Sequence, residues 1–236
     1  MTHRNNILYS ICIAISLLML VPMTADAQHY GFHKKKRTAE EQALEDSIPL
    51  FRGVAVGFDL VGPVTRAVGD YGNYEVFARV NLKDRYFPTV EIGYGDADHT
   101  DDVTNIRYKT SAPYGKIGVD FNVMKNKHDK YRVLVGVRYA FTSFNYDIGP
   151  LDISDPVWKD KAVYEAHDQK CSYGWLEFGA GVDATLWKFI HLGWSVRYRS
   201  RVHQKYDDAG EPWYVPGYGK KGTSRIGATF NVAFEF

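Results

Sequence analysis

The sequence predicts an all-β fold in which eight antiparallel strands form a closed, up-and-down transmembrane β-barrel. Three observations lead to this prediction. From Phe51 onward, apolar and polar residues alternate with the period of two that a β-strand imposes on its side chains. The connections between the alternating stretches are by turns short and long, as they are in barrels that cross a membrane. The last stretch ends on Phe236, in phase with the apolar residues before it.

The first segment, residues 1–27, is typical of a secretory signal peptide. Arg4 precedes an apolar run over residues 7–21, and a small-x-small cleavage pattern ends at Ala27. The run is shorter than the roughly 20 residues that a membrane-spanning helix needs. We therefore predict cleavage after Ala27 and export. Residues 28–50, with a basic run followed by an acidic one, are predicted to form a polar periplasmic arm.

The predicted barrel covers residues 51–236, and its strands follow one another in order. In the first strand, Val54, Val56 and Phe58 occupy one face, whereas Gly57 and Asp59 occupy the other. The same alternation defines each later strand, so that each has one apolar and one polar face. The eight predicted strands lie at residues 54–60, 74–82, 90–94, 116–123, 132–141, 176–186, 190–199 and 225–236.

The lengths of the connections place the strand ends on two sides of the barrel. Short turns join strands two and three, four and five, and six and seven. Long connections at one end and short turns at the other are typical of barrels with tight periplasmic turns and long outer loops. Tyr114 is out of phase with Ile117, which predicts a β-bulge at the start of the fourth strand. The four long connections are predicted at residues 62–73, 95–113, 143–174 and 200–224.

The polar faces carry acids and bases in equal number. Arginine dominates the cations, and glycine fills many positions between them. The planar guanidinium group pairs with carboxylates in a fixed geometry, and glycine leaves room for it. An eight-stranded barrel has space inside for side chains only, so we predict a lumen plugged by ion pairs and no open pore. The predicted network consists of Asp59, Glu75, Arg79, Glu91, Lys116, Asp120, Arg132, Arg138, Glu177, Asp183, Arg197, Arg199, Arg225 and Glu235.

Aromatic residues gather near both ends of the predicted strands, as they do at the two interfaces of a membrane. The turn-side girdle is predicted to contain Phe51, Phe87, Tyr131, Trp187 and Phe189. The loop-side girdle is predicted to contain Tyr74, Tyr94, Tyr114, Tyr139, Trp175 and Tyr198.

The eight-strand rhythm, the signal peptide and the final Asn-Val-Ala-Phe-Glu-Phe strand together suggest a known architecture. The chain resembles the small eight-stranded outer-membrane barrels of the OmpA/OmpX type, which include many uncharacterised barrel proteins of gram-negative bacteria. The resemblance covers Phe51 to Phe236 and implies a location in the bacterial outer membrane, with membrane lipid and lipopolysaccharide as partners. It also implies that Phe234 and Phe236 belong to an assembly signal read by the barrel-insertion machinery. We expect a monomer; the resemblance indicates architecture rather than function.

The charge balance and the spacing of reactive residues argue against several functions. With 29 Lys and Arg against 28 Asp and Glu, the net charge is +1, which argues against nucleic-acid binding. His191 and Ser195 share a face of the seventh strand, but the strand rise separates them by about 13 Å. A nucleophile and its base must be in hydrogen-bond contact. We therefore predict no enzymatic activity and no cofactor.

The second long connection is acidic and carries residues whose chemistry could suit a metal site. Calcium prefers such oxygen ligands, but the glycine and the distal glutamate of an EF-hand loop are missing. A solvated acidic loop is therefore the favoured interpretation. The weak metal candidates are Asp96, Asp98, Asp101 and Asp102. Removal of the signal peptide leaves Cys171 as the single cysteine, so no intrachain disulfide is predicted.

Three functional hypotheses remain open from the sequence. The first is a non-enzymatic surface barrel with a structural or adhesive role, whose loops contact lipopolysaccharide or another partner. The aromatic residues in the connections at 143–174 and 200–224 suit either partner binding or packing over the barrel. The alternatives are an outer-membrane lipid-modifying enzyme and a soluble, exported, lipocalin-like binding barrel. In the last case the polar face would lie outside and the apolar face inside.

Overall fold

A computed structural model of the chain describes residues 47–154, 161–207 and 210–236. The predicted signal peptide at 1–27 and residues 28–46 of the predicted arm lie outside the described residues. Among the residues that are described, no helix is both long and apolar enough to span a membrane.

Eight long strands close into an antiparallel barrel with the order β1-β10-β7-β6-β5-β4-β3-β2, which confirms the predicted fold class. A two-stranded hairpin, β8–β9, and one short helix, α1, lie in two of the connections. The elements are β1 (Phe51–Asp59), α1 (Val61–Val68), β2 (Tyr71–Leu82), β3 (Tyr86–Thr100), β4 (Arg107–Asn122), β5 (Tyr131–Ser154), β6 (Lys161–Trp187), β7 (Ile190–Tyr206), β8 (Tyr214–Val215), β9 (Gly219–Lys220) and β10 (Ser224–Glu235).

The two ends of the barrel differ in their connections. We call the end that carries the β2–β3, β4–β5 and β6–β7 connections the turn end, and the opposite end the loop end. Between them, apolar side chains point outward and polar side chains point inward. In β1, for example, Val56 and Phe58 are exposed, whereas Ala55, Gly57 and Asp59 are buried. This is the reverse of a water-soluble barrel, in which apolar side chains form the interior.

The strands are longer at the loop end than the sequence pattern predicts. β5 has 24 residues and β6 has 27, so the connections predicted at 95–113 and 143–174 are largely strand. The sequence pattern does not predict these strand residues because, above Tyr94, the outward face becomes polar and the inward face becomes apolar. On β3, Asp96 and Asp98 point outward and Ala97 points inward. An apolar–polar alternation predicts a strand only while the apolar side chains stay on one face, so it does not predict the part in which they lie on the other face.

The predicted bulge at Tyr114 is wrong. The pairing of β4 with β3 and with β5 keeps one register through this region. Tyr114 is out of phase with Ile117 simply because its side chain points into the barrel, where its hydroxyl donates a hydrogen bond to Glu75 at 2.8 Å. The pairing is irregular elsewhere, for example between Gly174 and Trp175 on β6.

The barrel wall is incomplete near the loop end, because β1 is the shortest of the eight barrel strands. β10 pairs with β7 from Ser224 onward but with β1 only from Asn231. Residues 224–230 of β10 and 71–75 of β2 therefore have no strand between them. The helix α1 lies beside this gap and packs so closely on β2 that a Cβ at Gly62 would lie 2.0 Å from the carbonyl oxygen of Asn73.

Candidate functional site

The middle of the barrel is filled by charged side chains, which we call the central network. Arg197 donates to both carboxylate oxygens of Glu91, with N–O distances of 2.8 and 3.1 Å. Arg138 donates to the same carboxylate at 2.8 Å and to Asp120 at 2.7 Å. The ammonium group of Lys116 lies 2.7 Å from Glu75. The complete network contains Glu75, Glu91, Lys116, Asp120, Arg138, Glu177, Arg197 and Arg199.

The central network balances four carboxylates against four cations in a space that excludes most water. Removing a charge from water costs several kcal/mol, a cost that only close pairing offsets. Glycines on the inner face provide the room. A Cβ at Gly136 would lie 1.8 Å from Asp120, and one at Gly118 would lie 2.5 Å from Arg138. The combination of arginine, carboxylate and glycine on the inner face therefore has a steric cause.

A second group of charges, the turn-end network, closes the other half of the lumen. Arg79 contacts Asp183 at 3.0 Å, and Arg132 contacts Glu235 at 2.6 Å. His191 lies between these two acids, 2.8 Å from Asp183 and 3.1 Å from Glu235.

Asp84 also belongs to the turn-end network, although the apolar–polar alternation of the strands does not predict it. It lies in the β2–β3 turn, where a charged residue is expected to be solvated, yet it is buried beside Arg52, Arg132 and His128. Burial alone would raise the pKa of Asp84. The hydrogen bond with His128 and its other polar and cationic neighbours outweigh this effect, so that the pKa lies below its usual range. A signal was present in the sequence, because Asn81 three residues earlier accepts a hydrogen bond from the Asp84 backbone N–H.

The structure brings most of the predicted lumen residues together and leaves two aside. Among the described residues, Asp59 and Arg225 have no ion-pair partner. Asp59 accepts hydrogen bonds from the backbone N–H groups of Gly62 and Phe230 at 2.9 and 3.0 Å. Arg225 donates to two backbone carbonyl groups of the preceding loop. The other twelve are members of the central or the turn-end network.

The loop end of the barrel is closed by buried aromatic residues, which we call the aromatic cap. The last long connection, with the β8–β9 hairpin, folds into the barrel and places Tyr214 and Tyr218 inside it. Trp175 lies where the cap meets the central network, because its indole N–H donates to Glu177 at 2.8 Å and its ring packs on Tyr218. Tyr214 and Tyr218 therefore pack within the barrel and Trp213 packs against them, whereas Tyr206, which the sequence places in the same connection, is exposed at the end of β7. The cap consists of Tyr108, Tyr114, Phe144, Tyr146, Tyr173, Trp175, Tyr214 and Tyr218.

Three of the residues predicted for the girdles point inward. Trp175 and Tyr114 are buried at the loop end, and Phe87 is buried near the guanidinium groups of Arg79 and Arg132. Sequence position alone placed them near strand ends, but their phase along the strand directs them into the barrel. The remaining girdle residues are exposed on the outer surface: Phe51, Tyr74, Tyr94, Tyr131, Tyr139, Trp187, Phe189 and Tyr198.

The acidic candidates for a metal site are dispersed. Asp96 contacts Arg66 at 2.5 Å, and Asp98 contacts Arg107 at 2.6 Å. Asp101 caps its own turn by accepting hydrogen bonds from Thr104, which hold the pKa of Asp101 below its usual range. Asp102 is exposed. No group of three potential ligands that could hold a metal ion is present in the part of the chain that the structure describes.

The other reactive residues also have structural neighbours. Ser195 forms a hydrogen bond of 2.7 Å with Thr229, whereas His191 is engaged with Asp183, so the two are not brought together. Cys171 is a free, buried thiol next to the aromatic cap. Burial raises the pKa of this thiol to about 12, which keeps it protonated.

Comparisons with known proteins give one family and a set of remote structural matches. A family model described as "Domain of unknown function (DUF6048)" matches residues 7–236. No curated protein matches the chain. The solved structures that match include Ail, the attachment invasion locus protein of Yersinia pestis, in complex with the heparin analogue sucrose octasulfate. That match has 10% identity, a TM-score of 0.36 and coverage of 78% of this chain and 94% of Ail. A major outer membrane protein from Thermus thermophilus matches with 16% identity, a TM-score of 0.37 and coverage of 78% of this chain and 98% of that protein.

Proposed function

The chain belongs to the DUF6048 family, and we propose that it is a non-enzymatic outer-membrane barrel with a plugged lumen. In this proposal its loop-end surface serves structural, adhesive or lipopolysaccharide and partner contact. The mature chain is a monomer that begins after Ala27, has a polar arm on the periplasmic side, and uses Phe234 and Phe236 in assembly.

The observation that carries the proposal is the apolar belt around the outside of a charged interior. The belt lies between the turn-side and the loop-side aromatic girdles. From Phe189 to Tyr198 the chain rises about 30 Å along the strand, which a tilt of about 40° reduces to about 23 Å along the barrel axis. This height agrees with the apolar band of roughly 25 Å found in outer-membrane barrels. Its exposed members include Val56, Phe58, Val76, Val90, Ile92, Ile117, Val135, Phe178, Val182 and Val196.

The exchange of polarity at the loop end supports the same proposal. Above Tyr94 the outer face becomes polar, with Asp96 and Asp98, while the aromatic cap fills the interior. A wall surrounded by hydrocarbon must be apolar outside, whereas a wall surrounded by water carries its apolar residues inside. The position of the exchange therefore marks the expected upper edge of the lipid.

A charge placed in the middle of the belt tests the membrane location. Val182 lies midway between the aromatic rings and is 41% exposed. We expect Val182→Arg to lower the free energy of unfolding from liposomes by about 2–4 kcal/mol, because the guanidinium group would face hydrocarbon. The measurement is a urea titration of the reconstituted protein, followed by its heat-dependent mobility on gels.

Ser143→Arg is the matched control for this substitution. Ser143 is exposed on β5 above the belt, so its replacement should leave the unfolding midpoint unchanged. Equal tolerance of both arginines, together with recovery of the native protein in the soluble periplasmic fraction, would contradict membrane insertion.

The plugged lumen predicts that the protein does not conduct ions. The central and turn-end networks occupy the interior, and the cavity within the central lumen has a volume of only about 40 Å³. In planar bilayers, protein whose insertion has been verified by heat-dependent mobility should show no large, stable conductance steps. Reproducible steps of that kind would overturn the plugged-lumen proposal.

The two alternative functions have less support. A lipocalin-like barrel requires the apolar face inside, and the burial pattern is the opposite. A lipid-modifying enzyme requires a nucleophile next to a base, whereas Ser195 and His191 have separate partners. Lipid A composition compared with and without the protein discriminates this second alternative, because a changed acyl pattern would contradict the non-enzymatic proposal.

A further inference from the structure

The gap in the barrel wall between residues 71–75 of β2 and 224–230 of β10, which we call the wall opening, leads into a cavity. This cavity has a volume of about 210 Å³ and is much larger than the one within the central lumen. The helix α1 covers it from one side, and the β8–β9 hairpin bounds it from within. Its lining is polar and includes Asn73, Glu75, Arg199, Lys220, Arg225 and Thr229.

The acidic groups that line the cavity have hydrogen-bond or ion-pair partners, whereas two of its basic groups have no carboxylate partner among the described residues. Glu75 belongs to the central network, and Asp59 is occupied by two backbone N–H groups. Lys220 and Arg225, by contrast, have no carboxylate partner among the described residues. The ammonium group of Lys220 lies 4.9 and 5.3 Å from the ring centroids of Trp213 and Tyr71, and Arg225 donates to the backbone carbonyl groups of Lys220 and Lys221. Two cations that line one cavity without a neutralising acid favour an anionic ligand.

The wall opening lies at the level of the loop-side aromatic girdle. Tyr74 is exposed on β2, and Ile226, which is 76% exposed on β10, pairs with Tyr198 of the girdle. Aromatic residues of this kind mark the lipid headgroup region. In the proposed membrane location, the opening therefore faces the zone in which the phosphate groups of outer-leaflet lipids lie.

The backbone of β10 supplies a second reason for a polar occupant. On the side that faces the opening, both backbone groups of Phe230 have hydrogen-bond partners, because its N–H donates to Asp59 and its carbonyl group accepts from Leu60. Ala228 and Ile226 have the same backbone orientation but no strand partner on this side. Unpaired strand edges do not occur against hydrocarbon, and at membrane depth they are tolerated only where they line a polar cavity.

We propose that the wall opening binds the phosphate monoester of an outer-leaflet lipid headgroup, held by Arg225 and Lys220. The arginine supplies directional N–H donors and the lysine a mobile point charge, a combination suited to phosphate oxygens. The acyl chains of the lipid would remain outside, against the apolar belt below the opening. This proposal rests on the proposed membrane location.

The test uses short-chain lipids and the full-length protein in a non-ionic detergent. Binding of dihexanoyl phosphatidic acid, dihexanoyl phosphatidylcholine and inorganic phosphate is measured by native mass spectrometry and by the shift in thermal unfolding. We expect phosphatidic acid to bind about tenfold more tightly than either of the others, since two charge-assisted contacts and a lipid chain contribute. The double variant Lys220→Gln/Arg225→Gln should lose about tenfold or more in affinity for phosphatidic acid.

Arg107→Gln/Lys109→Gln is the matched control, because both residues are exposed on β4 at the same end of the barrel. It should bind like the native protein. Equal affinity of the two double variants would overturn the site, and equal affinity for inorganic phosphate and phosphatidic acid would overturn its assignment to a lipid. If heat-dependent mobility shows that the Arg225 change impairs folding, Lys220→Gln alone decides. Because binding is measured in detergent, its failure is independent of the Val182→Arg test of membrane insertion.

Discussion

Replacement of Arg197 by methionine should lower the free energy of unfolding by about 3–5 kcal/mol, the loss expected when one partner of a buried ion pair is removed. Arg197 is almost completely buried and contacts Glu75, Glu91 and Glu177. Methionine keeps an unbranched apolar stem but has no charge, so the central network would retain four carboxylates against three cations. The measurement is a denaturant titration in detergent micelles, with the slope checked against that of the native protein.

Two further variants separate this loss from a general effect of removing arginine. Arg107→Met removes an exposed partner of Asp98 and should shift the unfolding midpoint by no more than the experimental error. Arg197→Met/Glu91→Gln restores the charge balance of the network and should recover part of the stability. An Arg197→Met protein as stable as the native one would show that the network is not tightly coupled.

Truncation of Trp175 to alanine should cost about 3–5 kcal/mol, as expected for a large buried aromatic residue. Its side chain is completely buried, packs on Tyr173 and Tyr218, and donates to Glu177. Alanine would leave a cavity between the aromatic cap and the central network and would remove a hydrogen bond from a buried carboxylate. Chemical unfolding in micelles measures the loss.

The controls for Trp175 distinguish packing from hydrogen bonding. Trp187→Ala removes an indole that is 68% exposed, so it leaves no cavity and should cost clearly less. Trp175→Phe keeps most of the packing but loses the N–H donor, and should lie between alanine and the native protein. The interpretation of the cap as a packed core fails if Trp175→Ala and Trp187→Ala are equally stable.

The belt of the barrel could be predicted from the sequence because one rule holds throughout it. Within the belt, every second residue is apolar and faces outward, so residues such as Val56 and Phe58 define both the strand and its orientation. Above Tyr94 the rule reverses, and Asp96 and Asp98 on a strand look like a solvated loop. The part of each strand that extends beyond the belt, about half the length of β5, therefore cannot be predicted from a single apolar–polar alternation.

The sequence does not predict which charged residues form ion pairs, for a different reason. Inward-facing charges could be recognised, but Glu91 and Arg197 lie on strands on opposite sides of the barrel and meet only across its lumen. Which acids meet which cations depends on the stagger of all eight strands. Asp84 was missed because a turn residue is normally exposed, and the wall opening because no local pattern signals that β1 ends early.

The short β1 also has a consequence for the kinetics of folding. β1 and β10 form a ladder of five residue pairs, Ala55–Asp59 with Asn231–Glu235, which is flanked by backbone hydrogen bonds of Val54 with Phe236 and of Leu60 with Phe230. These segments are separated by almost the whole barrel sequence. Every other pair of neighbouring barrel strands is joined by a more extensive ladder, including β1 and β2 with seven residue pairs. Contacts between distant segments carry the largest loop-closure entropy and form late. Pairing of β1 with β10 is thus the folding step that closes the curved sheet into a ring. We expect the ring to open first between these two strands on unfolding.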